Sequence, residues 1–226
     1  MGILKEKTQG NLIVVSGPSG SGKNSIVTNL HKYNNNFWES ISMTTREKRP
    51  GEKDNVDYYF ISKEEFLKNI EDGNLLEYTN YNGFYYGTPK SHIMEKLNAG
   101  IDVILVIEIE GAINVKELIP DTICIFILPP SMKELKRRLI SRNTENKDKI
   151  IKRFTTAYKE INEITKYNYV IVNDNLDEAT ITLNSILISE RSRVDRIEDI
   201  HLGNMEEEIH ELLIDKDLDN TDRNIA

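Results

Sequence analysis

Gly17-Pro18-Ser19-Gly20-Ser21-Gly22-Lys23-Asn24-Ser25 follows the apolar run Leu12-Ile13-Val14-Val15 and leads into Ile26-Val27-Thr28-Asn29-Leu30-His31. This order predicts a strand, a glycine-rich turn and a helix start. The form G-x-x-x-x-G-K is that of a phosphate-binding loop. Glycines let successive backbone N–H groups converge on a phosphate, because no Cβ blocks the turn. The helix start adds unpaired donors and the positive end of its dipole. Lys23 adds a full charge for the outer phosphates of a nucleotide. The residue after this lysine is ordinarily Ser or Thr, whose hydroxyl reaches Mg²⁺; here it is Asn24, with Ser25 one step on. Either the amide oxygen takes the hydroxyl's place or the metal is held through waters.

Around this loop the chain alternates short apolar runs with helical patterns. Val103 to Ile107 is nearly pure apolar, as a parallel strand covered on both faces requires. Ile123 to Leu128 and Tyr169 to Asn173 read the same way. Helices are expected over Lys23–Tyr33, Ser62–Asp72, Lys90–Ala99, Ala112–Leu118, the stretch opened by Ser131, Ile150–Lys166 and Ala179–Arg191. Ser62 with Glu65, and Ser131 with Glu134, have the spacing of capping boxes. Asn82-Gly83 is a hairpin signal between strand-like runs. Such alternation implies an α/β fold with a mostly parallel sheet and flanking helices, of the P-loop NTPase type. Alternation along a strand would put Glu108 and Glu110 on one face at the C-terminal end of the Val103–Ile107 strand, where open α/β sheets bind ligands.

The 226 residues suffice for one such domain with insertions. No apolar run reaches membrane-spanning length and no signal-like N-terminus is seen, so no membrane association is expected. Cys124 is the only cysteine, which excludes an internal disulfide and suggests an intracellular, cytoplasmic setting. Its apolar neighbours mark it as a core residue. The net charge of −8 is concentrated at one end: residues 195–226 hold 11 acidic and 3 basic side chains, leaving 26 of each sign in 1–194. A balanced body argues against a nucleic-acid surface. Residues 1–10 read as a polar lead-in, frayed at the end. Beyond Val194, Ile197, Ile200, Met205, Ile209, Leu212 and Leu213 keep a rough helical spacing, and 215–226 has the composition of disorder.

Two further stretches suggest anion chemistry. Ser42 to Glu52 carries Arg46 and Arg49 beside hydroxyls and a Pro-Gly turn. Arg137, Arg138, Arg142 and Arg153 flank a segment, 143–149, that has no apolar residue and is expected to be mobile.

Six motifs in order carry a resemblance to the guanylate kinases over nearly all of 10–192. They are Gly-Pro-Ser-Gly-x-Gly-Lys at 17–23, Ser-x-x-Thr-Thr-Arg-x-x-Arg-x-Gly-Glu at 42–52 and Asp-Tyr-x-Phe at 57–60. Tyr-Tyr-Gly-Thr at 85–88, Phe-Ile-Leu-Pro-Pro-Ser at 126–131 and Ile-Val-Asn-Asp at 171–174 complete the series. The resemblance implies a kinase-like domain over 1–194 made of a core, a GMP-binding subdomain at about 42–90 and a lid at about 138–156. The acidic tail 195–226 lies outside it. The implied reaction is ATP + GMP → ADP + GDP with Mg²⁺. The implied partners are ATP and GMP, and the chain is expected as a monomer or homodimer.

Roles follow position by position. The resemblance implies that Gly17, Pro18, Ser19, Gly20, Ser21, Gly22, Lys23, Asn24 and Ser25 hold the ATP phosphates, with Asn173 near the adenine. Ser42, Arg46, Arg49, Tyr58 and Tyr86 match residues that hold the GMP phosphate. Glu77 and Thr88 match those that read guanine, and Glu108 matches a carboxylate near GMP. Lys23, Arg138, Arg142 and Arg153 match the catalytic cations. The chain departs from the family pattern at Asn24. It also has Val106 where the family has a carboxylate, Glu108 for Asp and Glu110 for Gln. A guanylate-kinase-like interaction module without strong catalysis is the alternative; such modules usually lack an intact ATP loop or the lid arginines, both present here. A kinase for another nucleoside monophosphate is opposed by Glu77 and by the Ser42–Arg49 motif.

Overall fold

The computed structural model describes residues 4–6, 9–81, 83–141 and 147–200. In chain order the strands are β1 Leu4–Glu6, β2 Leu12–Ser16, β3 Phe37–Glu39, β4 Met43–Thr44, β5 Tyr59–Phe60, β6 Leu75–Tyr81, β7 Phe84–Pro89, β8 Asp102–Val106, β9 Ile123–Leu128, β10 Tyr169–Val172 and β11 Ile197–Ile200. The α-helices are α1 Lys23–Leu30, α2 Lys63–Glu71, α3 Lys90–Asn98, α4 Ile109–Leu118, α5 Met132–Ser141, α6 Lys147–Ile161 and α7 Leu176–Arg191.

Residues 8–189 form one compact unit. Its central sheet has the order β10-β9-β2-β8-β3, and every pairing in it is parallel. The continuous apolar runs arise because both faces are covered. Ile13, Val15, Ile104, Ile123, Ile125 and Ile127 pack with Ile26, Val27 and Leu30 of α1 and with Leu183 and Leu187 of α7. The alternate residues Leu12, Val14, Val103, Leu105 and Cys124 pack with Ile93 and Leu97 of α3 and with Ala112 and Val115 of α4. Cys124 is therefore core, and burial pushes its thiol up to about 11.

A second sheet in this unit, β5-β4-β7-β6, is mostly antiparallel. β6 and β7 form the hairpin expected around Asn82-Gly83, with Tyr81 opposite Phe84; Asn82 itself lies outside the described residues. Leu135 and Leu139 of α5 pack on Ala157 of α6, giving the third apolar cluster. Both capping boxes have their Ser bond: Ser62 Oγ accepts from Glu65 N and Ser131 Oγ from Glu134 N, each at 3.1 Å.

Four sequence expectations are corrected. β8 ends at Val106, Glu108 is the N-cap of α4, and Glu110 lies in that helix's first turn, so the two acids do not share a strand face. The alternating Val106-Ile107-Glu108-Ile109 pattern mimics a strand, but backbone pairing stops before it. The helix read from Ile150 starts at Lys147 and ends at Ile161, the rest turning as a 3₁₀ helix over Asn162–Lys166. Residues 1–10 are not all a frayed lead-in, because Leu4–Glu6 is a strand. Ile197 and Ile200 belong to a strand, not a helix.

The second unit takes in residues 1–7 and 190–226. In it β1 and β11 pair antiparallel, Leu4 opposite Ile200 and Lys5 opposite Asp199. Glu190 accepts from Arg193 Nη1 at 3.3 Å. The remaining tail, with Met205, Ile209, Leu212 and Leu213, lies outside the described residues.

Candidate active site

The loop between β2 and α1 owes its path to its glycines. Gly17, Gly20 and Gly22 have φ of 142°, 94° and 97°, a region L side chains rarely adopt. A Cβ on Gly17 would stand 2.3 Å from the Ile127 carbonyl oxygen, and one on Gly22 would stand 2.1 Å from Asn173 Nδ2. The loop is thus pressed against the C-terminal ends of β9 and β10. Asn173 Nδ2 donates to the Ser21 carbonyl at 2.8 Å. Lys23, 8% exposed, donates from Nζ to the Gly17 carbonyl at 2.6 Å. No acid occupies the first turn of α1, and Gly22 provides no side-chain cap, so the helix N-terminus faces the loop with nothing of its own to neutralise it. Asn24 and Ser25 are exposed on that turn.

Two of the three predicted arginines converge on the same loop. Arg138 donates through Nη2 to the Asn173 carbonyl at 2.9 Å and through Nη1 to the Ser21 carbonyl at 3.4 Å. Its Nε donates to Glu134 at 2.8 Å. The Arg137 and Arg138 forks hold the Glu134 carboxyl down at about 2. Arg153 Nη2 donates to Ser19 Oγ. Arg142 lies outside the described residues.

The second sheet gathers the other candidates. Arg46, 8% exposed, makes a two-pronged contact with Glu52, Nη2 to Oε1 at 2.9 Å and Nη1 to Oε2 at 3.0 Å. Its guanidinium stands 5.4 Å from the Tyr58 ring centre and 5.7 Å from that of Phe60. Burial works against the charge on Arg46, and its bonds to Glu52 and Tyr86 outweigh that and raise it. The Tyr58 and Tyr86 rings meet edge to face at 6.0 Å. The backbone N–H of Arg49 donates to Glu52 at 2.8 Å, while its side chain is exposed. Ser42 is next to this group, its carbonyl accepting from Tyr59 N. Burial, then the neighbouring Tyr86 and Glu108, push the Tyr58 hydroxyl up to about 12.

Glu77 and Thr88 face each other across β6 and β7. Thr88 Oγ1 donates to Glu77 Oε1 at 2.6 Å, in a buried setting. Glu77 Oε2 lies against Gly111 of α4, where a Cβ would come within 2.6 Å of it. Burial, more than the charge of Glu110, raises the Glu77 carboxyl to about 7.

Sequence reasoning missed three participants. Glu52 was visible only as the end of a motif, and its hold on Arg46 depends on the loop folding back. Gly111 is read correctly only once α4 is seen to pack on β6. Glu160 is the third: it follows Arg153 by seven residues, two turns along the same face of α6, with the buried Ala157 between. Its Oε2 is buried with no hydrogen-bond partner, as is Glu108 Oε2. Burial, then the charge of Glu108, raise the Glu160 carboxyl to about 7, against the pull of Lys23.

A phosphate loop closing a parallel sheet, a second sheet beside it that carries the buried Arg46, and arginines reaching the loop from neighbouring helices define a P-loop nucleotide kinase. Comparison with known proteins agrees. The guanylate kinase family model matches residues 9–190. The chain is 52% identical to a guanylate kinase of Clostridium tetani over 92% of its own length and 99% of that protein's. It is 48% identical to one of Clostridium acetobutylicum, covering 92% and 99%. A solved guanylate kinase of Anaplasma phagocytophilum superposes with a TM-score of 0.74 at 32% identity, covering 87% of this chain and 93% of that one. The chain belongs to the guanylate kinase family, and it is an enzyme with that family's kinase function. These matches over nearly the whole chain disfavour the alternative of an interaction module. Among the described residues no helix is long and apolar enough to cross a membrane.

Proposed function

We propose that this kinase transfers the γ-phosphoryl group of ATP to GMP, giving ADP and GDP, with the residues above in definite roles. The observation that carries the reading is on the second sheet. Arg46 Nε is buried with no hydrogen-bond partner, at a place where Glu52 has already fixed the guanidinium. A buried unsatisfied donor is costly unless a ligand pairs it, and a phosphate oxygen suits it. Ser42, Arg49, Tyr58 and Tyr86 complete the set for the GMP phosphate, Arg and phenol donors both matching a dianion. Glu77 and Thr88 read the guanine. A carboxylate offers two acceptors to guanine's adjacent N1–H and amino donors. The charge of Glu108 reaches both Tyr58 of this pocket and Glu160, on which Lys23 also acts.

ATP is read as lying along the other side. The loop N–H groups of 17–25 hold its phosphates, and Asn173 stands at the adenine end. Lys23 exchanges its Gly17 partner for the outer phosphates. Arg138, Arg142 and Arg153 act from the lid at about 138–156, and the GMP-binding subdomain spans about 42–90. The protein forms no covalent intermediate. It aligns the two phosphates and surrounds the equatorial oxygens with positive charge. Lid closure excludes water that would otherwise take the phosphoryl group.

Mg²⁺ fits this reading as a companion of ATP. No group of three or more His, Cys, Asp or Glu that could hold a metal occurs among the described residues. The exposed oxygen groups just after Lys23 are the Asn24 amide and the Ser25 hydroxyl, and phosphates and water would supply most of the ligands. When bound, Mg²⁺ would supply neutralising charge at the phosphates, with the Asn24 amide and Ser25 hydroxyl as the loop groups able to hold it. Soluble nucleotide substrates support a cytoplasmic setting.

A coupled assay with ATP and each of GMP, dGMP, AMP, CMP and UMP tests the assignment. GMP should be turned over far faster than AMP, CMP or UMP. Comparable turnover of any of those three overturns it.

A further inference from the structure

Arg138 meets the phosphate loop with its guanidinium already held from behind. It lies on α5, and its Nε donates at 2.8 Å to Oε1 of Glu134, one turn earlier on the same helix. Its Nη2 donates to the Asn173 carbonyl at 2.9 Å and its Nη1 to the Ser21 carbonyl at 3.4 Å. The guanidinium thus ties α5 to the loop after β2 and to the residue after β10. Asn173 closes the circuit, because its own side-chain amide donates to the Ser21 carbonyl at 2.8 Å. A guanidinium has five N–H donors. These bonds use one on each nitrogen, so the second N–H of Nη1 and of Nη2 has no partner among the described residues.

Glu134 is free to make this hold because it leaves its capping box half made. Its backbone N–H donates to Ser131 Oγ at 3.1 Å. In a full box its carboxylate would turn back to the Ser131 N–H. Here the oxygens turn forward instead. Oε1 takes Arg138 Nε and, at 2.6 Å, Arg137 Nη2, while Oε2 takes Arg137 Nε at 2.7 Å. The two arginines are not equivalent: the Arg137 side chain is 71% exposed and that of Arg138 23%. Water competes for Arg137, whereas Arg138 is committed to the loop. The two forks hold the Glu134 carboxyl down at about 2, so it stays ionised throughout the working range of pH.

We propose that Glu134 is a positioning residue for phosphoryl transfer that acts through Arg138: by fixing Nε, it sets the guanidinium against the Ser21 and Asn173 carbonyls and leaves two N–H groups over for the phosphates. This rests on the reading of Arg138 as a catalytic cation. An arginine oriented before the substrate arrives gives up little freedom at the transition state and needs no reorganisation as charge develops. Without Glu134, Arg138 keeps its charge and loses its aim, so the rate falls while the GMP pocket on the second sheet is untouched.

The experiment measures kcat, the KM for ATP, the KM for GMP and thermal unfolding. The proteins are the wild type, Glu134→Ala, Glu134→Gln, Arg137→Ala, Arg138→Ala and the double variant of Glu134→Ala with Arg138→Ala. Glu134→Ala should lower kcat by about tenfold, the loss of one charge-assisted hydrogen bond, with the KM for GMP little moved. Glu134→Gln, whose amide oxygen still accepts from Nε but without the charge, should fall between. Arg137→Ala should keep the wild-type kcat, since Glu134 then serves Arg138 alone. In the Arg138→Ala background, Glu134→Ala should cost nothing more, because a residue acting through another is not additive with it. An equal further loss there overturns the proposal and makes Glu134 a support of the fold. A wild-type kcat in Glu134→Ala beside an impaired Arg138→Ala overturns the role of Glu134 and leaves that of Arg138. A wild-type kcat in Arg138→Ala overturns the underlying reading and the proposal with it. Should Glu134→Ala fail to fold, Glu134→Gln alone and with Arg138→Ala runs the same cycle with a smaller factor.

Discussion

Lys23 donates to the carbonyl of Gly17, 2.6 Å away, so the lysine proposed to serve the phosphates also closes the loop that carries it. The two tasks compete for one ammonium group. The bond is internal to the loop; under the proposed function the outer phosphates of ATP take it over. Lys23→Ala should therefore abolish turnover and also lower the melting temperature, since a buried charge-assisted bond is worth about 1.5–3 kcal/mol. Activity assays and thermal unfolding read the two effects separately. Retained turnover would remove Lys23 from the transfer step.

Glu52 fixes Arg46 by two bonds at 2.9 and 3.0 Å and also accepts from the Arg49 backbone. Burial opposes its charge, but these bonds prevail and lower its carboxyl. Glu52→Ala should leave Arg46 without its brace and raise the KM for GMP by about tenfold or more, the equivalent of one to two such bonds. The KM for ATP should stay near the wild-type value. Equal effects on both substrates would show that Glu52 supports the fold at large and not the GMP pocket.

The ease of reading varied along the chain for physical reasons. The run from Leu12 to Ser25 is legible because a buried parallel strand must be wholly apolar and the turn after it needs glycine at positive φ. The same logic exposes β8 and β9. β3 goes unseen because Phe37-Trp38-Glu39 is too short to show a period. β1 goes unseen because its partner, β11, is nearly 200 residues distant, and no local pattern announces so remote a pairing. Glu108 and Glu110 read as strand residues because their period of two continues past Val106, the last paired residue. Of the site, the loop and the arginines are legible from residue type. Gly111 and Glu160 are not, since what matters in them is a contact made across elements.

Gly111 offers a test of how closely the base pocket is built. Gly111→Ala places a methyl group 2.6 Å from Glu77 Oε2, too near for both to stay. Glu77 carries a bond to Thr88 at 2.6 Å, which must stretch or break. GMP affinity should fall by about tenfold or more, the loss of a charge-assisted hydrogen bond, while binding of an ATP analogue stays unchanged. Titration of both ligands decides it. An unchanged GMP affinity would mean that α4 yields easily and does not shape the pocket.

Glu160 gives a prediction about stability, and its sign follows from the direction of the pKa change. Burial and Glu108 raise its carboxyl from 4.5 to about 7 in the folded chain. Below pH 4.5 it is protonated in both folded and unfolded states and contributes nothing. Between 4.5 and 7 the unfolded chain releases the proton and the folded chain keeps it, so stability from this group falls as pH rises. Above 7 the full cost of the buried charge is present, less what Lys23 returns. Each pKa unit corresponds to about 1.4 kcal/mol. The half-buried position screens part of that, leaving a cost of about 1–2 kcal/mol. Glu160→Gln has no charge to bury at any pH. Its melting temperature should match the wild type near pH 4.5 and exceed it by several degrees at pH 8, as expected for a chain of this size. Thermal unfolding of the two proteins across that range checks it. A variant less stable at pH 8 would show that the attraction of Lys23 outweighs burial and that the ionised Glu160 holds the loop lysine in place.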